Sequence, residues 1–375
     1  MDGVRIVHCA DVHLDSGFAG SGLRQDFAVQ RAEEIKASFA RIVDLVRDEE
    51  AHVLLIAGDL FEHDYVRRST VQFVIDQVAG RIPGVPVFIA PGNHDPVVEG
   101  SYYSTMSWPA NVTIFGPVWR KVEIPSTSAA VYGWGFDRRH VSERRLAELR
   151  VPPSEATGIV LVHGSDDAFP CEERGYLPLS REECLRCGAG YVALGHIHSH
   201  RVVAERKGVL AAYPGSPESL TFGQTAAHGA IVGTVGREGN DLRLVPVGRR
   251  EHCALDVAVD GAATVEEVAA RVAGAVGPED RAAHLYRVTL TGEVDPDLDI
   301  APALVEEKLK GEFHYLDVRD LTRPAFDLEE IARENSLRGR FVSELLDERR
   351  NAPEAERAEI DLALRYGLRA LGGGR

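Results

Sequence analysis

YVALGHIHSH, residues 191–200, places a short apolar run directly before three imidazoles, His196, His198 and His200, at alternate positions. Alternate residues of an extended segment share a face, so the run reads as a buried strand and the histidines as groups able to converge on one point. Imidazoles so placed make a poor core and a good cation cage. The same phrase, an apolar run followed by a polar cluster, recurs upstream in VRIVHCADVH (4–13), HVLLIAGDLFEHD (52–64), VPVFIAPGNHDP (85–96), AAVYGWGFD (129–137) and GIVLVHGSDD (158–167). Between the first runs, residues 27–50 carry Ile35, Phe39, Ile42, Val43 and Val46 at helical spacing, and 67–80 also reads as a helix. Near-continuous apolar strands bounded by Gly and Asp are what a sheet buried on both faces demands. The fold class is therefore α/β.

From about 200 to 248 the texture changes to short strands and turns, as in GVLAAYPGSP and GAIVGTVG. A second unit is expected from 251 to 325. There CALDVAVD, a helical 264–275, HLYRVTLTG, a helical 301–310 and FHYLDVRD read as β-α-β-α-β, a small α+β domain. Residues 326–375 form a polar helical tail without a strand candidate, opened by Asp327 and Glu330 in capping-box spacing. Its apolar positions Leu328, Ile331, Phe341, Leu345, Leu346, Ile360, Leu364 and Leu368 suit either an amphipathic partner face or packing on this same chain.

The net charge of −16 argues at first against a nucleic-acid partner, but the acidity is uneven: residues 1–250 hold 26 Lys and Arg against 31 Asp and Glu, and residues 251–375 hold 16 against 27. Two divalent cations would bring the first part close to neutral. The charge neither requires nor excludes a polyanionic substrate. The opening residues carry no basic leader, and no apolar run has spanning length, so neither a signal peptide nor a membrane helix is expected. Five cysteines do not suggest a disulfide framework, and a cytoplasmic location follows. Cys184 and Cys187 form a CxxC with no second pair, and are expected to be half-buried thiols rather than a zinc site.

Five strand ends carry metal-capable residues: Asp11 and His13, Asp59, Asn93 and His94, His163, and His196 and His198. Each alone reads as a cap or turn former; the set, in chain order, points into one crevice at the carboxyl ends of the strands. Two carboxylates, an amide oxygen and four imidazoles suffice for two cations if one carboxylate bridges them. Oxygen and imidazole without thiolate favour Mn²⁺, Fe²⁺ or Zn²⁺ over copper or iron–sulfur, and affinity order does not choose among the three. Two such ions, about 3.5–4 Å apart, suit in-line displacement at phosphorus.

DVH, GDLFE, GNHD, HG and GHIH, in that order, resemble the signature of the calcineurin-like metallophosphoesterase superfamily. The resemblance implies a β-sandwich flanked by helices. It implies a first cation on Asp11, His13, Asp59 and His198, and a second on Asp59, Asn93, His163 and His196. His94 matches the family histidine that contacts phosphate and assists the leaving oxygen, with Glu62 as its orienter; His200 matches no ligand. HCADVHLDSGF, GNHDP with WPANVTIF, and YPGSPESLTFGQ resemble the DNA repair exonuclease branch of SbcD-like and YhaO-like proteins over about residues 4–235. That likeness implies a metallophosphoesterase (nuclease) domain over 1–250, a small capping domain over 251–325, a tail over 326–375 that docks on an SMC-like ATPase, and a homodimer. The expectation is a two-cation DNA exonuclease or endonuclease, which makes Mn²⁺ the first choice of ion. The alternatives are a phosphodiesterase or phosphatase on small phosphoesters, and a non-catalytic scaffold of an ATPase complex. Arg67–Arg68, Arg138–Arg139 and Arg144–Arg145 follow strand-end motifs, where they would either grip backbone phosphates or lie on an ordinary surface.

Overall fold

Along β1 (Gly3–Cys9), Val4 and Ile6 face one way and Val7 and Cys9 the other, and all four are buried. Strand β2 (Val53–Ile56) repeats the pattern with every residue buried. Two-sided burial of this kind needs cover on both faces of a sheet, and the computed structural model supplies it with two facing six-stranded sheets and helices on their outer sides. It describes residues 3–16, 25–153, 157–169, 175–224, 227–295 and 298–371. Gly17 and Phe18 of the first motif and the terminal GGGR lie outside the described residues.

The first sheet adds β3 (Val87–Ile89) and β4 (Val112–Ile114), all parallel to β1, on one side. The second sheet starts at its edge with β5 (Arg120–Glu123), antiparallel to β6 (Ala130–Trp134). Then follow the parallel strands β7 (Ile159–His163) and β8 (Tyr191–Gly195). It closes with β9 (Arg201–Glu205) at the far edge and β10 (Val209–Tyr213) between β9 and β8. The antiparallel β11 (Ala230–Gly236) and β12 (Asn240–Val245) complete the first sheet beside β1.

Val4, Ile6, Leu55 and Phe88 meet Val131, Leu161, Tyr191 and Ala193 between the sheets. On the outer face of the first sheet, α1 (Gln25–Asp48) packs the five apolar residues at helical spacing, and α2 (Arg68–Arg81) adds Val71, Val74 and Val78. A single turn, α3 (Tyr102–Thr105), lies beyond β3. The second sheet is covered through Leu146 of α4 (Arg145–Glu148) and Cys184 of α5 (Arg181–Arg186), with Cys187 beside it. Both thiols are free and buried, and burial pushes them up from the ordinary thiol range. The expected β-sandwich flanked by helices is the fold.

The chain divides into two compact units, Met1–His252 and Cys253–Arg375. The second holds a three-stranded sheet in the order β13 (His252–Ala258), β14 (Leu285–Thr291) and β16 (Tyr315–Asp320), with a ribbon of β15 (Glu293–Val294) and β17 (Arg323–Pro324). Helices α6 (Val265–Gly274) and α8 (Pro302–Lys308) bury Val268, Val272 and Val305 with Val288 and Leu290 of the sheet. Between them α7 (Pro278–Ala283) was not expected: it buries no residue, so it leaves no apolar period to read, and Pro278 in its first turn is its main signal.

The tail is helical, as α9 (Leu328–Ala332), α10 (Leu337–Asn351) and α11 (Glu354–Leu371). Asp327 caps α9 by accepting from the Glu329 and Glu330 backbone N–H groups. All eight apolar tail positions pack together around Val342, so that face is used within this chain.

Candidate metal centre

Beyond β1 and β2 the two strand-end loops stay laddered. Asp11 N donates to Gly58 O at 3.0 Å, His13 N to Asp59 O at 2.9 Å and Leu14 N to Leu60 O at 3.0 Å. The loops follow this path with left-handed backbone at Asp11 (φ 53°), His13 (φ 49°), Asp59 (φ 50°) and His196 (φ 110°). Each such residue is disfavoured by on the order of 1–3 kcal/mol, a strain that surrounding structure sustains at functional sites. Gly58 has φ +87°, and a Cβ there would strike the His163 ring, so the glycine preceding Asp59 is required twice over. Asp95 ties the β3 loop to the β2 loop by accepting from Gly92 N at 2.7 Å, Asp59 N at 3.1 Å, Leu60 N at 2.8 Å and Tyr103 Oη at 2.6 Å.

His163, the last residue of β7, faces between the sheets like Leu161, and its Nδ1 donates to Ala57 O at 2.9 Å. Its Nε2 lies 3.3 Å from Asp59 Oδ2 and 2.9 Å from Asn93 Oδ1, and His196 Nδ1 is 3.2 Å from that same amide oxygen. Asp59, Asn93, His163 and His196 are thus one group. Asp11, His13 and His198 form a second, with the two Nε2 atoms of His13 and His198 3.1 Å apart. Asp59 Oδ2 stands between the groups, 3.8 Å from His13 Nε2. All seven groups named from the sequence come together.

The electrostatics of this cluster call for added positive charge. Burial pushes Asp11 up to about 7, with His163 opposing and Asp59 adding to the rise. Burial acts on Asp59 in the same direction, yet His163 and His13 hold its carboxyl well below the usual range. Burial and the neighbouring His13 keep His198 well below the ordinary imidazole value, so it is neutral. Two buried carboxylates, an amide oxygen and imidazole nitrogens within coordinating reach fit hard-to-borderline divalent cations.

Next to this cluster, Glu62 accepts from His94 Nδ1, with its oxygens at 2.9 and 3.1 Å, and lies 3.4 Å from His13 Nδ1. Burial opposes its ionisation, but the bonds to His13 and His94 draw Glu62 down to about 2. His94 is fixed from the other side by its backbone N–H, which donates to Asp59 Oδ1 at 2.9 Å. His200 lies outside the cluster, with Nδ1 2.9 Å from Tyr213 O.

Three contacts escaped the sequence reading: Glu62 with His13, Tyr176 with His196 (ring centroids 5.5 Å apart), and Gln224 with His198. Tyr176 follows no motif; Gln224 ends the GSPESLTFGQ loop, which was legible as a motif but not as a contact. Several candidate phosphate grips are engaged with acids. Arg138 pairs with Asp137 and Glu143, Arg139 with Asp64, Arg144 with Asp167 and Glu183, and Arg145 with Glu143 and Glu148. Among the described residues no helix is long and apolar enough to cross a membrane.

A family model described as calcineurin-like phosphoesterase matches residues 4–200. The uncharacterized metallophosphoesterase YhaO of Bacillus subtilis is 29% identical over 236 residues, 60% of this chain and 55% of that protein. The DNA double-strand break repair protein Mre11 of Methanopyrus kandleri is 27% identical over 237 residues, 58% of this chain and 50% of that protein. The protein of that name from Aeropyrum pernix is 28% identical over 234 residues, covering 58% and 54% respectively. The chain spans about half the length of the curated relatives it matches.

Proposed function

The chain belongs to the calcineurin-like phosphoesterase family, and from that premise we propose that it hydrolyses phosphodiester bonds of DNA as a two-cation exonuclease or endonuclease. The first cation would be held by Asp11, His13, Asp59 and His198, and the second by Asp59, Asn93, His163 and His196. Manganese suits this oxygen-and-imidazole set, with iron or zinc as alternatives. A bound pair supplies Lewis acidity that activates water and offsets charge on the phosphoryl group. Glu62 accepts from His94 Nδ1 and fixes the ring, and His94 would act on the phosphate and the leaving oxygen in an electrostatic or general-acid role.

The observation that carries the reading is the convergence of seven donors from five strand ends beside the Glu62–His94 pair. DNA is favoured as substrate because relatives carry the name DNA double-strand break repair protein. Digestion of end-labelled duplex and single-stranded DNA with manganese tests it, with bis(p-nitrophenyl) phosphate in parallel. Turnover of the small diester alone would end the nuclease reading. That outcome would favour the second reading, a phosphodiesterase for small phosphoesters, which the ion-paired arginines support. A cytoplasmic location, a homodimer and an SMC-like ATPase partner belong to the same proposal. Sedimentation of the full chain, alone and with such an ATPase, tests the last two.

A further inference from the structure

Gln224 has both ends of its amide committed. Leu220 N donates to its Oε1 at 2.7 Å, and its Nε2 lies 2.8 Å from His198 Nδ1. A backbone N–H has only a hydrogen to offer, so the oxygen must face Leu220 and the amide nitrogen must donate to His198. A neutral imidazole carries one N–H. With Nδ1 accepting, that hydrogen sits on Nε2, the atom that faces His13 Nε2 at 3.1 Å and belongs to the Asp11, His13 and His198 group.

His13 and His163 have the opposite sense. Glu62, an acceptor, is 3.4 Å from His13 Nδ1, and Ala57 O accepts from His163 Nδ1 at 2.9 Å. In both rings Nδ1 donates to an acceptor outside the cluster, so that Nε2 is the atom turned toward the cation positions. An acceptor on the far nitrogen is the normal support for a ligating imidazole. His198 has a donor there instead.

We propose that Gln224 attenuates the first cation position: His198 can join Asp11 and His13 around a cation only when the amide turns away from Leu220. The cation there binds more weakly and exchanges more readily than its neighbour on Asn93, His163 and His196. This rests on the two-cation reading above. A carboxylate at position 224 removes the conflict, because one oxygen keeps the Leu220 N–H while the other accepts from His198 Nδ1–H.

Manganese titration of the full chain, with free Mn²⁺ read by electron paramagnetic resonance, tests this in wild type, Gln224→Glu and Gln224→Ala. The wild type is expected to show two affinities. The weaker rises about tenfold or more in Gln224→Glu, the scale on which outer hydrogen-bond partners act, and by a smaller factor in Gln224→Ala; the tighter stays put. Alanine adds no charge, so its gain separates hydrogen-bond sense from simple attraction by a new carboxylate. It also sets the proposal apart from a merely structural role, in which alanine would weaken binding. Thermal melts confirm that the variants fold. Failure of either variant to tighten the weaker site, with two cations still bound, overturns the role of Gln224 alone. Fewer than two cations at saturation in all three proteins overturns the two-cation reading and this proposal with it.

Discussion

Asp11 is held in an unfavourable state twice over, with φ 53° and a carboxyl fully removed from water near Asp59. Its folded value of about 7 stands above the ~3.9 of an unfolded aspartate. The folded chain therefore binds the extra proton between those values. Stability is lost as pH rises through that window, and the loss is complete above about 7. An asparagine in its place would still accept the His196 N–H, which now reaches Asp11 Oδ1 at 3.0 Å, and tolerates left-handed backbone well. In chelator, Asp11→Asn is expected to melt on the order of 5 °C above wild type at pH 8, a gain that fades toward pH 4, while hydrolysis is lost. A melt series over that pH range checks it; an unchanged difference across the series would contradict the assignment. His94→Ala is expected to lose hydrolysis, by about 100-fold or more, and keep both cations. Asp59→Ala is expected to lose the cations too, as metal analysis would show. The donors were legible because each follows an apolar run. The sense of the hydrogen bonds behind them was not, since Gln224 and His198 are separated by 26 residues and only folding brings them together.

At the level of elements, the site depends on how closely the two sheets approach. Gly195 ends β8, and a Cβ there would overlap the Ala57 carbonyl beyond β2. Gly195→Ala must part the sheets just where His163 and His196 meet Asp59. It is expected to lose about 3 kcal/mol in denaturant unfolding and to weaken manganese binding in the same protein. Stability lost with manganese affinity intact would show that the sheets adjust elsewhere. Strand placement was readable because two-sided burial leaves continuous apolar runs. Arg31 shows the opposite case. It is wholly buried on α1, bonded to Glu34 at 2.6 Å and Glu218 at 2.9 Å, and a helical pattern marks such a residue as surface. Glu218 belongs to the loop that delivers Gln224, and it also accepts from Ser38 Oγ at 2.6 Å and Arg249 N at 2.7 Å. Charge pairing across the sequence, invisible to periodicity, anchors that loop to α1.

In the whole molecule, every candidate ligand falls within Met1–His252, while Cys253–Arg375 has apolar cores of its own around Val268 and Val342. A ligand stabilises only the cooperative unit that binds it, by about 2.7 kcal/mol when its free concentration is a hundredfold above Kd. Calorimetry of the full chain is therefore expected to show two transitions. Manganese should raise one by on the order of 5–10 °C, and chelator should return it; the other should not respond. Residues 251–375 hold 16 basic against 27 acidic groups, so added salt should act on the unresponsive transition by screening their repulsion. One transition that moves as a whole with manganese would instead mean that the two cores unfold together, and that the cation centre governs the stability of the entire chain.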